Sequence, residues 1–117
     1  MIIDHVNVPV RDIKRARLFY ELILALFGLS VLLEEEDVVG FGADHWVFGI
    51  FLGEGEPNHI AFKASSREQV DGFHATALKA GGTDHGSPGI RAQYGEGYYA
   101  AYVLDPDGHN VEAVFRE

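Results

Sequence analysis

The chain has 117 residues, 18 acidic against 9 basic side chains, a formal net charge of −9 and no cysteine. That balance argues against nucleic-acid binding, which depends on clustered Lys and Arg. The missing thiols exclude disulfides, thiolate zinc sites and cysteine nucleophiles, and no apolar run approaches the ~20 residues of a membrane span.

One domain, 1–117, is the natural reading for this length, and such a chain can bury roughly 60–70% of its unfolded surface. The start, Met1-Ile2-Ile3-Asp4, reads as entering a strand at once and has no signal-peptide shape. A cytoplasmic location is the expectation. Over 3–10, His5, Asn7 and Pro9 alternate with Val6, Val8 and Val10, the period of a half-buried strand. Asp12 is placed as an N-cap for a helix through about Phe27, with Ile13, Ala16, Phe19, Tyr20, Ile23 and Phe27 at helical spacing and Gly28 as its left-handed stop. Strands are predicted at about 30–35, 38–42 and 46–52. The run Glu34-Glu35-Glu36-Asp37 between the first two reads as a solvated turn or strand face.

Gly53-Glu54-Gly55-Glu56-Pro57 is a loop by composition and reads as the joint between two modules, about 1–54 and 57–117. The second module is predicted as a strand at 59–64, a helix from about Arg67 to Ala80 and a stop at Gly81-Gly82. A long turn over 84–89 and strands at about 97–104 and 109–115 follow. Asp105-Pro106-Asp107-Gly108 fits a type I turn and pins the last hairpin.

The two modules repeat each other. Asp4-His5-Val6 and Asn58-His59-Ile60 stand 54 positions apart, and the same offset carries Ala16 onto Val70, Phe19 onto Phe73 and Gly28 onto Gly82. On the last strand Asn110, Glu112 and Val114 share one face, which leaves Glu112 mid-strand among apolar neighbours. A carboxylate there is costly unless it is paired or ligates a metal. If each sheet packs its more apolar face on its helix, His5, His59 and Glu112 project together from the other side. Two imidazoles and a carboxylate make a facial set that leaves coordination positions open. His45, His74, His85 and His109 fall in turns or on a helix and read as structural or solvent-facing.

These residues carry a resemblance over the whole chain. The strand openings, Arg17-Leu18-Phe19-Tyr20, Ala80-Gly81-Gly82 and above all the unbroken stretch from Tyr98 through Asp105-Pro106-Asp107-Gly108 to Glu112 resemble the vicinal oxygen chelate superfamily, the glyoxalase/bleomycin-resistance/dioxygenase fold. The resemblance implies an α+β fold: two β-α-β-β-β modules forming a cupped half-barrel of mixed sheet with the helices outside. It implies a divalent metal, of identity left open among Zn, Ni, Fe, Mn and Mg, held by His5, His59 and Glu112. That metal would chelate adjacent substrate oxygens in lyase, isomerase or extradiol-dioxygenase-like chemistry.

Glyoxalases proper add a glutamate on the last strand of the first module. Here that position falls at Gly49, or at Phe48 if the register slips by one. The pattern then stands closer to extradiol dioxygenases and fosfomycin-modifying thiol transferases, although the latter usually carry a threonine where this chain has Asn7. A metal-free small-molecule or drug-binding protein of the bleomycin-resistance type is the alternative from another class. Asn7, Arg91, Tyr94, Tyr98 and Tyr102 are the candidate substrate contacts, a Tyr hydroxyl donating to an oxyanion and Arg91 gripping a carboxylate. No catalytic acid or base is assigned. The expected partners are a small-molecule substrate and a second copy of the chain.

Overall fold

A computed structural model describes residues 2–117; Met1 lies outside the described residues. The chain divides into two units, Met1–Glu56 and Pro57–Glu117, so the break falls in the loop read as the joint.

The first unit runs β1 (Val6–Val10), α1 (Ile13–Leu24), a 3-10 turn (Ala25–Phe27), β2 (Ser30–Glu34), β3 (Val38–Gly42) and β4 (Trp46–Leu52). The strand thus begins at Val6. Ile2 and Ile3 are exposed and outside it, which corrects the expectation that the chain enters a strand at once. Asp12 caps α1 by accepting from the Arg15 N–H at 3.1 Å. Ala16, Phe19, Tyr20, Ile23 and Leu24 turn inward, every one at most 1% exposed. Gly28, at φ 76°, supplies the left-handed stop. The sheet order is β1-β4-β3-β2, with β1 parallel to β4 and the other pairs antiparallel. Tyr20 packs on Phe48 at 4.8 Å between ring centroids, joining helix to sheet.

The second unit repeats the plan with β5 (His59–Lys63), α2 (Arg67–Lys79), β6 (Thr83–Ile90), a 3-10 turn (Ala92–Tyr94), β7 (Tyr98–Leu104) and β8 (Asn110–Arg116), in the order β5-β8-β7-β6. Ser66 caps α2 by accepting from the Gln69 N–H, and Val70, Phe73 and Ala77 are fully buried. The left-handed stop is Gly81, at φ 104°, one residue before the Gly82 that the 54-residue offset selects. The Gly82 N–H then reaches back to the Ala77 carbonyl as Leu29 does to Leu24, so at this helix end the true repeat is 53.

One element departs from expectation. Residues 84–89, predicted as a long turn, lie inside β6, which pairs with β7 through two register shifts, at Asp84/Gly86 and at Gly86/Gly89. Gly, Ser and Pro break the period-2 pattern there, and bulges absorb the break while the ladder continues. The turn at 105–108 forms as predicted: the Gly108 N–H closes on the Asp105 carbonyl at 2.9 Å. The Asp105 carboxylate accepts from the N–H groups of Asp107 and His109 at 2.9 and 2.8 Å.

Candidate metal and substrate site

Register fixes what each sheet presents. In the second unit the parallel pairing sets Ala61 beside Glu112, and the antiparallel pairing sets Tyr102 on its other side. Asn58 anchors the start of β5: its N–H donates to His109 Nδ1 and its carbonyl accepts from the Asn110 N–H, both at 2.8 Å. This holds His59, the first strand residue, over the same face. His59 Nε2 donates to Glu112 Oε1 at 2.9 Å, and the Tyr98 hydroxyl donates to Glu112 Oε2. Glu112 is 2% exposed, so both carboxylate oxygens are satisfied inside the sheet face. Burial first, and the Glu112 carboxylate next, push the Tyr98 hydroxyl far above the usual tyrosine range. Tyr98 therefore keeps its proton and donates it as a hydrogen bond to Glu112. Its ring is held between Tyr94, at 5.5 Å, and the Arg116 guanidinium, at 4.7 Å.

The first unit presents the counterpart. Asn7, two residues after His5, pairs with Gly49 as Ala61, two after His59, pairs with Glu112; Gly40 stands where Tyr102 does. Gly49 is therefore the position equivalent to Glu112, and the one-residue slip to Phe48 is excluded; Phe48 is core, 1% exposed. The vacated space is filled. A Cβ on Gly49 would stand 2.2 Å from Asn7 Oδ1 and 2.6 Å from the Trp46 ring, and one on Gly40 would stand 2.8 Å from the same ring. Trp46 thus lies flat across both glycines, its ring 5.8 Å from that of His5, its buried Nε1–H without an acceptor among the described residues. His5 directly precedes β1 and is exposed. Its Nδ1 meets the Asp4 carboxylate at 2.7 Å, a bond that keeps the Asp4 carboxyl below the usual aspartate value. A carboxylate on Nδ1 is the arrangement that orients a histidine for ligation through Nε2.

The sequence-predicted ligands are thus brought together in part. His59 and Glu112 touch; His5 belongs to the other unit, and among the described residues no three His, Asp or Glu side chains are gathered as a metal cluster. The donors nonetheless suit a divalent ion. Two ligands each about 2.1 Å from one metal stand roughly 3–3.5 Å apart, close to the His59–Glu112 separation.

Beside this pair the second unit opens a cleft of about 270 Å³ whose walls include Arg91, Tyr94, Tyr102, Asn110 and His85. Arg91, Tyr94 and Tyr102 were expected here. Tyr98 and Tyr102 share the Glu112 face, whereas Tyr99 turns to the helix and donates to Asp71 at 2.6 Å. Asn110 and His85 were not anticipated as lining residues. Asn110 was legible, since it shares a strand face with Glu112; His85 was hidden by the misread turn. Trp46 was equally hidden, because its place depends on two glycines that only the β3–β4 register brings side by side. His109, 2% exposed, is structural as expected, and His74 donates to Asp84 at 2.8 Å.

The comparisons with known proteins agree with this fold. The family model of the Glyoxalase/Bleomycin resistance protein/Dioxygenase superfamily matches residues 2–113, and the chain belongs to that superfamily. Among solved structures it is similar to a glyoxalase/bleomycin resistance protein from Albidiferax ferrireducens T118, at 28% identity and TM-score 0.86 over 100% of both chains. It shares its fold with the fosfomycin resistance protein FosX from Mesorhizobium loti, at 24% identity and TM-score 0.71 over 95% of this chain and 88% of that one. The same holds for the lactoylglutathione lyase from Agrobacterium tumefaciens, at 20% identity and TM-score 0.73 over 97% and 92%. No curated protein matches the chain in sequence. No helix among the described residues is long and apolar enough to cross a membrane.

Proposed function

We propose that this chain is a divalent-metal-dependent enzyme that takes a small substrate through adjacent oxygens, with His5, His59 and Glu112 as the metal-holding residues. The observation that carries this is the buried Glu112 carboxylate facing His59 at 2.9 Å. A carboxylate buried in a sheet face is costly unless it is paired or ligates a metal, and one with an imidazole beside it is suited to fixing a ligand. His5 is supplied by the first unit, of the same chain or of a second copy in a cytoplasmic homodimer. His5, His59 and Glu112 would hold the metal, which would supply Lewis-acid chemistry to the substrate oxygens. The chain's own residues do the rest. Tyr98 fixes Glu112, Asp4 orients His5, and Tyr102, Tyr94, Arg91 and Asn7 contact the substrate.

The test is elemental analysis and calorimetric titration with Zn and Ni on protein purified without a histidine tag. One ion per site is expected, with at least a 10–100-fold loss of affinity in His59→Ala and Glu112→Gln, the range typical of changes behind the ligands. Unchanged affinity in both variants overturns the reading. The metal-free binding reading rests on one observation, that no third donor joins His59 and Glu112 among the described residues; absence of bound metal in the same measurement favours it.

Isomerisation of the methylglyoxal–glutathione hemithioacetal is expected to be poor. With Gly49 at the counterpart of Glu112, the base is missing, and a missing general base costs about 10²–10⁴-fold. Efficient turnover that disappears in His59→Ala is the contrary result.

A further inference from the structure

The cleft of the second unit holds one cation in an unusual seat. Arg91 directly precedes the 3-10 turn, half-buried, and its Nη2 donates to the Ser87 carbonyl at 2.7 Å. Its guanidinium carbon lies 5.4 Å from the Tyr102 ring centroid. Two glycines make the room. A Cβ on Gly86 would stand 3.3 Å from Arg91 Nη2, and one on Gly89 would stand 3.1 Å from Nη1. Both lie at register shifts of β6, so the bulged strand, which pattern reading takes for a turn, is the floor of an arginine seat.

The seat fixes the charge without neutralising it. Arg17 lies 2.9 Å from Glu34, and Arg67 pairs with Glu117. Among the described residues no carboxylate pairs with Arg91, in a chain with twice as many acidic as basic side chains. One of its five N–H donors is used on Ser87, and a carbonyl and a ring face remove no charge. Asn110, in the same cleft wall, has a buried side-chain oxygen with no donor among the described residues. A fixed, planar, unneutralised fork is the group that matches a carboxylate with two parallel bonds.

We propose that this cleft is a carboxylate-binding site with Arg91 as its anchor, and that the ligand is a small carboxylic acid whose body lies along Tyr102 toward His59. Tyr102 sets that direction, because its ring lies 5.4 Å from the guanidinium carbon and 6.3 Å from the His59 ring. The volume, about 270 Å³, lies just below the ~300–1,000 Å³ of drug-sized pockets, which favours a compact acid over a peptide or nucleotide. The inference deepens the proposed function and rests on it only for where the uncharged part of the ligand sits.

The test is an NMR titration of the ¹⁵N-labelled full chain with benzoate, in the presence of EDTA, with benzamide as the uncharged isostere and inorganic phosphate as a competitor. Benzoate is expected to shift the amides of 86–94 and of Tyr102 saturably, and benzamide to bind about tenfold or more weaker, the worth of a charge-assisted bond. Arg91→Gln is expected to lose at least as much, with amides outside 83–94 unmoved. Gly89→Ala, which displaces the guanidinium but keeps its charge, is expected to weaken benzoate binding while the chain stays folded. Equal binding of benzamide, unaltered affinity in Arg91→Gln, or displacement of benzoate by phosphate at equal affinity each overturns the proposal. EDTA separates this result from the metal reading: a chain that binds benzoate through Arg91 but takes up no metal overturns the metal reading alone.

Discussion

Trp46 decides what the first unit can offer. In the second unit the central position of the sheet face is a carboxylate; in the first it is Gly49, and the indole laid over Gly49 and Gly40 occupies the room. A glutamate restored at 49 therefore meets Asn7 and the indole before it meets any metal. Gly49→Glu is expected to lower stability by about 1–3 kcal/mol, the usual cost of overpacking, and to leave metal affinity unchanged. Urea unfolding and metal titration check both, and a stable variant with tighter metal binding is the contrary result. Tyr98 is the other decisive residue. Tyr98→Phe strips one oxygen of the buried Glu112 of its donor, at an expected cost of about 1–3 kcal/mol; chemical denaturation without metal measures it, and an unchanged midpoint refutes the pairing. At this scale the ligands on strands were legible, because a period of two and a mid-strand charge need no tertiary knowledge. Trp46 was not, since its partners are two glycines with no pattern of their own.

Most elements with unbroken patterns were read to within a residue or two, while β1 and the end of α1 were each overrun by three. β3 and β4 were predicted at their observed bounds, the start of α1 follows from Asp12 as its cap, and α2 begins at Arg67 where it was placed. β6 was missed because Thr83–Ile90 has no apolar alternation: its pairing comes from β7, and its glycines serve the bulges and the arginine seat. What ties β6 to α2 is the His74–Asp84 bond. That bond, followed by the Gly86 N–H, holds the Asp84 carboxyl below the ordinary value of 3.8. A depressed carboxyl contributes stability that is present above the ordinary value and lost as pH falls through the lower folded value. The thermal midpoint of the wild-type chain is therefore expected to fall more steeply below about pH 4 than that of Asp84→Asn, the two curves converging in acid. Parallel curves from pH 6 to pH 2 would remove this link. At the outer strand of the first sheet, β2, the exposed Leu32 and Leu33 are followed by Glu34, Glu35, Glu36 and Asp37, all exposed, charges that discourage pairing with another chain along that edge.

For the molecule as a whole, the repeat was the most legible feature, since two copies of one unit carry the same strand order and the same histidine position. What the repeat could not tell was how the halves differ chemically: an apolar indole platform in one, a carboxylate and a seated arginine in the other. The same duplicated plan leaves surfaces open. Each four-stranded sheet ends in two edge strands, β1 and β2 in one, β5 and β6 in the other. Helix α1 and the turn after it carry Leu18, Leu22 and Leu26, four residues apart on one stripe and 56%, 45% and 38% exposed. Trp46 is half-buried and Phe48 is core, so of the β4 aromatics Phe51, 38% exposed, joins the leucine stripe, Leu32, Leu33, Leu52 and Ile90 as exposed apolar surface. Closed two-fold pairing is the commonest way for a chain to cover such surface. The charge of −9 opposes it, but salt screens that repulsion beyond ~10 Å at 0.1 M. Sedimentation at micromolar concentration in 0.15 M salt is expected to give twice the 12.9 kDa chain mass, and Leu22→Glu to shift the population toward the single chain without unfolding it. A monomer at that concentration with metal bound would refute the dimer and require His5, His59 and Glu112 to meet within one chain; a dimer indifferent to Leu22→Glu would move the interface from the helix stripe to the sheet edges.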